Sequence, residues 1–261
     1  MAPQYYFEVK NPIAIPNNAR VALFLDFDGT LVPIQKDPAS CYLSPDTKKL
    51  LASILSSGKS VVTILSGRSL SDLKKRLSLR GAFYAGNHGL EISGPDIRFI
   101  HQGARLLKPA LNNILRKLQK EINGCEGLLL ENKSYSFALH YRNAAKETVP
   151  FIRKLFYSVI TKEPAYAQSF TIMRGKKVLE LLPKVSWNKG AAALHIMQKL
   201  GGKYMPICVG DDATDETLFK AFYETGITIR IGYSQRTSAE HYLKGQREVS
   251  LLLQQINDAL Q

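Results

Sequence analysis

The chain has 261 residues, 45% of them hydrophobic and 22% charged, which excludes wholesale disorder and suits one large α/β domain or a core carrying a smaller insert. Its 35 basic and 22 acidic side chains leave a net charge of +13, but the basic residues are scattered (Lys48-Lys49, Lys74-Lys75-Arg76, Arg116-Lys117, Lys176-Lys177) and no RNA-binding or zinc-finger signature accompanies them, so the expectation is a solvated surface that favours an anionic small molecule, with no nucleic-acid partner. No run of about 18 apolar residues exists, the first ten residues carry no charged-then-apolar leader, and Cys41, Cys125 and Cys208 form no CxxC pair; a cytoplasmic monomer with no membrane partner, disulfide framework or zinc site is expected.

Arg20–Leu25 (RVALFL) is a short apolar, β-branched and aromatic run after the turn residues Asn17-Asn18, and predicts a buried strand. Asp46–Leu55 has helical apolar spacing behind Ser44-Pro45, an N-cap and first helical position, and Gly58 ends it. Ser60–Leu65 predicts a second strand, Leu70–Leu77 a short helix and Ala82–Ala85 a third strand. This alternation predicts a parallel sheet with helices on both faces. Near Leu106 the pattern changes. A helix over Leu106–Ile122 precedes strands at Gly127–Leu130 and Tyr135–His140; a helix over Val149–Ile160 precedes strands at Phe170–Met173 and Val178–Leu182 around the turn Arg174-Gly175-Lys176. Helix, hairpin, helix, hairpin is an α+β pattern. From Asn188 the earlier style returns: helix Gly190–Leu200, strand Met205–Val209, helix Asp215–Ala221, strand Gly226–Ile231 and helix Leu251–Leu260. The expected organisation is a discontinuous α/β core, 1–104 and 186–261, holding an inserted α+β domain at 105–185.

The chemistry sits at strand ends, where open parallel sheets bind ligands. Asp26-Phe27-Asp28-Gly29-Thr30 follows the first strand directly, and Gly210-Asp211-Asp212-Ala213-Thr214-Asp215 follows the strand MPICV. Acidic groups gathered this closely are costly unless a cation neutralises them, and two such loops can share one Mg²⁺, a hard cation that prefers oxygen ligands. Ser66-Gly67-Arg68 follows the second strand and offers a hydroxyl and backbone N–H groups to phosphoryl oxygens, or is an ordinary turn. Lys189 opens a helix, where an anion is favoured, or is simply solvated.

Together these four loops resemble the haloacid-dehalogenase-like phosphatase superfamily, with its doubly wound, mainly parallel core and inserted cap. That resemblance makes Asp26 the nucleophile, Asp28 the acid and then the base, Ser66 and Lys189 the groups that neutralise phosphoryl charge, and Asp26, the Asp28 carbonyl and Asp211 the Mg²⁺ ligands, with Asp212 and Asp215 supporting them. Further along, Gly86–Glu91 (GNHGLE), Leu130–Arg142 (LENKSYSFALHYR), Leu179–Gly190 (LELLPKVSWNKG) and Ser66–Arg68 are similar to trehalose-6-phosphate phosphatases over about Val21 to Leu252. The likeness implies hydrolysis of trehalose 6-phosphate through an aspartyl-phosphate, with 105–185 as the cap. It also implies that Arg68, Asn87, His88, Glu131, Lys133, Arg142 and Glu180 meet the sugar phosphate. Asn132 departs from the family, where this cap-loop position is frequently acidic. The competing readings are a phosphatase of sucrose-, mannosylglycerate- or glucosylglycerol-phosphate, and a non-catalytic sugar-phosphate-binding regulator. From the residues alone, His88 could equally be a turn residue, Glu131 and Lys133 an exposed pair, and Arg142 solvated, while Phe137, Tyr141 and Trp187 read as packing.

Overall fold

The computed structural model describes residues 2–9, 19–35, 37–162 and 168–261; the turn expected at Asn17-Asn18 lies outside them. In chain order the elements are β1 (Gln4–Tyr5), β2 (Arg20–Asp26), α1 (Pro45–Ser56), β3 (Ser60–Leu65), α2 (Leu70–Leu77), β4 (Phe83–Gly86), β5 (Glu91–Ser93), β6 (Arg98–Ile100), α3 (Gln102–Glu121), β7 (Leu129–Asn132), β8 (Phe137–His140), α4 (Val149–Thr161), β9 (Phe170–Gly175), β10 (Val178–Pro183), α5 (Lys189–Leu200), β11 (Tyr204–Gly210), α6 (Glu216–Phe222), β12 (Ile227–Ile231), β13 (His241–Leu243) and α7 (Val249–Leu260). They fall into two units: residues up to Phe99 with Trp187–Gln261, and Ile100–Ser186.

The first unit is built on a sheet of order β1-β13-β12-β11-β2-β3-β4-β5-β6. Neighbours from β1 to β4 run parallel, and β5 turns back antiparallel to β4. The residues of β2 show why helices cover both faces. Successive side chains of a strand point to opposite sides, and in β2 both sides are apolar. Val21, Leu23 and Leu25 enter one buried cluster with Leu51 and Ile54 of α1, Leu73 of α2 and Leu252 of α7. Ala22 and Phe24 enter another with Ala192 and Ile196 of α5 and Leu218 and Phe219 of α6. This is the doubly wound, mainly parallel sheet expected from the alternation. Short polar caps fix where helices start: Thr47 N–H donates to Ser44 Oγ at 3.1 Å, Asp72 N–H to Ser69 Oγ at 3.2 Å, and Ala191 N–H to Asn188 Oδ1 at 3.0 Å, each satisfying an orphan donor of a first turn.

The second unit is an antiparallel sheet of order β7-β8-β10-β9. One face is apolar: Phe137, Leu139, Leu179 and Leu181 pack with Leu111, Ile114 and Leu118 of α3 and Ile152 and Phe156 of α4. Phe137 and Phe156 are fully buried, and each contributes on the order of 1.5–3 kcal/mol by leaving water. The register places Glu131 of β7 and Glu180 of β10 on either side of Ala138 in β8, so all three share the face turned away from α3 and α4. Helix α3 starts at Gln102, four residues before the expected Leu106. The short strands β1, β5, β6 and β13 were not expected: two or three residues are too few to show a period.

Candidate active site

The order β11-β2-β3 brings the carboxyl ends of three neighbouring strands together, and with them Asp26, Ser66 and the loop after Gly210. Asp26 ends β2 and is buried. Its Oδ1 accepts a hydrogen bond from Lys189 Nζ at 2.7 Å, and the same ammonium donates to Asp215 Oδ1 at 2.7 Å. Lys189 is the first residue of α5, where the helix dipole alone would disfavour a cation. Burial also works against its charge, yet Asp26, Asp215 and Asp212 outweigh this and hold its proton more firmly than in an ordinary lysine. Lys189 is therefore not the solvated helix-start lysine that the sequence allowed.

Burial pushes the Asp26 carboxyl well above the usual range; Lys189 opposes this, and Asp215 and Asp211 add to it. Burial, Asp215 and Asp212 push Asp211 up to about 6. Asp26, Asp211 and Asp215 each place a carboxylate oxygen within 4.8 Å of the others', so Lys189 neutralises only part of the local negative charge. Asp26 Oδ2 is buried with no hydrogen-bond partner among the described residues. Oxygen donors, excess negative charge and an unserved buried oxygen fit a hard divalent cation such as Mg²⁺. Asp215 belongs to this cluster by distance, but its oxygens are already engaged: Oδ1 by Lys189, and Oδ2 by the N–H groups of Asp211 at 3.0 Å and Asp212 at 3.1 Å. It shapes the loop that carries Asp211. Asp212 Oδ1 accepts from Thr214 N–H and Oγ1, both at 2.7 Å, and from Asp215 N–H at 3.3 Å, which closes the same loop. Gly29 is needed beside them: its φ is +94°, and a Cβ there would run into the Asp211 carboxylate.

Asp28, two residues beyond Asp26, is gripped by Arg68. The guanidinium donates from Nε to Asp28 Oδ2 and from Nη2 to Oδ1, both at 2.6 Å, a bidentate fork. Its Nη1 donates to Asp72 Oδ2 at 2.9 Å. Arg68, expected to meet substrate, thus holds a site carboxylate. Ser66 Oγ accepts from Arg68 N–H at 3.1 Å. The loop after β4 locks onto the same place: Asn87 N–H donates to Arg68 O at 2.7 Å and His88 N–H to Ser66 O at 2.9 Å. Asn87 and His88 both have left-handed backbones, φ 50° and 57°. A Cβ on Gly67 would lie 2.6 Å from the His88 ring, so His88 packs over the Ser66–Arg68 loop. The buried Asn87 side chain donates to Glu91 Oε1 at 3.3 Å.

The remaining expected residues lie in the second unit. Lys133 and Glu180 are both buried and form an ion pair at 3.0 Å, and Ser136 Oγ donates to Glu180 Oε1 at 2.7 Å. Glu131 lies 2.9 Å from His140 Nε2. The Glu131–Lys133 exposed pair that the sequence allowed is therefore replaced by two other pairs. Arg142 is exposed and donates to Lys176 O at 3.2 Å. Asp72, Ser136 and His140 had not been singled out. The spacing Arg68, Asp72, Arg76 was the available signal for the first, and alternation with Ala138 for the other two. Trp187 packs as expected, stacked on Phe99 with ring centroids 5.0 Å apart.

A family model for trehalose-phosphatase matches residues 24–248. A trehalose-phosphate phosphatase of Mycobacterium tuberculosis is 34% identical over 218 residues, covering 82% of this chain and 54% of that protein. Trehalose-phosphate phosphatase B of Arabidopsis thaliana is 27% identical over 253 residues, covering 91% of this chain and 66% of that protein. The chain thus spans about half the length of the mycobacterial relative. A solved structure of a trehalose-6-phosphate phosphatase related protein is similar with a TM-score of 0.78 at 23% identity, covering 91% of this chain and 97% of that one, a likeness of fold. With the family model matching most of its length, the chain belongs to the trehalose-phosphatase family.

Proposed function

We propose that this chain hydrolyses trehalose 6-phosphate to trehalose and phosphate, with Mg²⁺ as cofactor, in the cytoplasm. The observation that carries the reading is the buried Asp26–Lys189–Asp215 contact beside Asp211, at the ends of two adjacent strands. Lys189 orients Asp26 through Oδ1, and the Asp26 carboxylate attacks phosphorus. That attack forms an aspartyl-phosphate and breaks the bond from phosphorus to the sugar oxygen. The departing oxygen takes its electron pair and a proton from Asp28. Asp28, now a carboxylate, removes a proton from water; the water oxygen attacks phosphorus, releases phosphate and restores Asp26. Asp26, the Asp28 carbonyl and Asp211 would hold Mg²⁺, which when bound neutralises charge on the phosphoryl oxygens. Ser66 Oγ and Lys189 Nζ add to that neutralisation, and Asp212 and Asp215 keep the Asp211 loop in shape.

Residues 105–185 serve as the cap in this reading. Glu131, Lys133 and Glu180 on one sheet face are the sugar-hydroxyl ligands, with Arg142, Asn87 and His88 contributing contacts to the sugar phosphate. The test is phosphate release from a panel of sugar phosphates with Mg²⁺, comparing wild type with Asp26→Asn. Trehalose 6-phosphate should be the best substrate and Asp26→Asn inactive, because an amide does not attack phosphorus. Asp26→Asn turnover above a few per cent of wild type removes Asp26 from this role, and a preference for sucrose 6-phosphate or another sugar phosphate overturns the substrate.

A further inference from the structure

We infer that Asp72 and Arg76, neither of which reaches the phosphate site, are positioning residues that hold Asp28 in register through Arg68. The inference rests on the acid–base role proposed for Asp28. The contacts form a chain. Arg68 grips both Asp28 oxygens at 2.6 Å and reaches Asp72 Oδ2 at 2.9 Å; Arg76 Nε donates to that same Asp72 oxygen at 2.7 Å. Arg76 Nη1 then donates to the carbonyls of Ala39 at 2.9 Å and Cys41 at 2.8 Å. Aromatic faces support the two guanidinium groups: Arg68 lies 5.4 Å from the Phe27 ring centre and Arg76 5.0 Å from that of Tyr42.

The geometry makes this more than a surface ion pair. Arg68, Asp72 and Arg76 recur every four residues, and the last two are one turn apart on α2, so the helix sets their spacing. The Arg68 and Arg76 side chains are 12% and 9% exposed, which protects these pairs from the screening that weakens exposed ones. Arg68 is the only one of the three that touches Asp28 in the described contacts. Without Asp72, Arg68 loses the hydrogen bond from Nη1 at 2.9 Å, one of the anchors that set the tilt of its fork. A shift of about 1 Å in a reacting group can cost on the order of a hundredfold in rate.

The experiment uses steady-state kinetics on the full chain with Mg²⁺, on trehalose 6-phosphate and on p-nitrophenyl phosphate, whose leaving group needs no proton. Variants are Asp72→Asn, Arg76→Lys, Asp28→Asn and the double Asp28→Asn/Asp72→Asn. Asp72→Asn should lower kcat on trehalose 6-phosphate about tenfold or more with KM nearly unchanged, and lower p-nitrophenyl phosphate turnover less. Arg76→Lys, which keeps the charge but loses the fork, should fall between wild type and Asp72→Asn. The double variant should be no slower than Asp28→Asn, because residues acting as a unit are not additive. Wild-type kcat in Asp72→Asn, a rise in KM alone, or a double variant slowed by both single effects multiplied overturns the relay while leaving the acid–base reading intact. Wild-type kcat in Asp28→Asn overturns both. If Asp72→Asn does not fold, Arg76→Lys decides by the same kcat and leaving-group criteria.

Discussion

Lys189→Met removes the ammonium that lies between Asp26 and Asp215 and keeps most of the side-chain length. Lys189 is 2% exposed and makes two ion pairs at 2.7 Å. Each charge-assisted hydrogen bond contributes about 1.5–3 kcal/mol, and removing one partner of a buried pair costs about 3–5 kcal/mol because the other charge is left uncompensated. Here two carboxylates are left, so the upper half of that range is expected. For a chain of this size each kcal/mol corresponds to about 2–4 °C in Tm, so the unfolding transition of the first unit should drop by about 8–20 °C. Asp215→Asn in the same chain removes one of the stranded anions. The double variant should therefore be more stable than the sum of the single effects, by about 1–3 kcal/mol. Urea unfolding of the four proteins measures both quantities. A loss under about 1 kcal/mol for Lys189→Met, or additivity within about 0.5 kcal/mol, would refute the view that this lysine is the counter-ion of the site.

Gly29→Ala should fold poorly or lose divalent-cation binding, because its backbone has φ +94° and the new methyl meets Asp211; Mg²⁺-dependent thermal stabilisation, present in wild type and absent in the variant, is the readout. Glu131→Ala or Glu180→Ala should lower turnover of trehalose 6-phosphate by about tenfold or more, worth about 1.4 kcal/mol, and leave p-nitrophenyl phosphate nearly unchanged; equal losses on both substrates would move the carboxylates out of sugar recognition. Burial holds the His241 imidazole below its ordinary value despite Glu240, so the unfolded chain takes the proton first. Stability should fall as pH drops below about 6.5 and go on falling to the folded-state value, and His241→Phe should flatten that slope in urea titrations.

The core was legible because its strands are apolar on both faces and its acidic loops follow them without a spacer: RVALFL runs straight into Asp26, and MPICV into Gly210-Asp211. The same local signal gave Ser66 and Lys189 a place but not their partners. That Lys189 bridges Asp26 and Asp215 depends on α5 and α6 packing on the same face of the sheet, which no short window of sequence encodes. The pairing in the second unit was not legible for a related reason. Glu131 and Lys133 are neighbours in sequence, but the register of β7, β8 and β10 sets Glu131 against His140 and Lys133 against Glu180. Edge strands such as β13 carry too few residues to show a pattern. Arg68 was placed at the sugar phosphate by the family resemblance; that its fork also grips Asp28 is visible only in the fold.

The strand order also has a temporal side. β2 and β11 lie side by side, Arg20 opposite Tyr204, yet about 180 residues separate them, and Ile100–Ser186 is made in between. At about 5–20 residues per second, synthesis leaves the inner edge of β2 without its neighbour for about 10–40 s. During that interval VALFL, the most apolar strand of the core, presents an open row of backbone donors and acceptors, the kind of edge that recruits other chains. The acidic site is assembled equally late, since Asp26 waits for Lys189 and then for Asp211 and Asp215. A nascent chain stopped before β11 would hold half a site and an open sheet, so aggregation of truncated products should track whether β11 has been made.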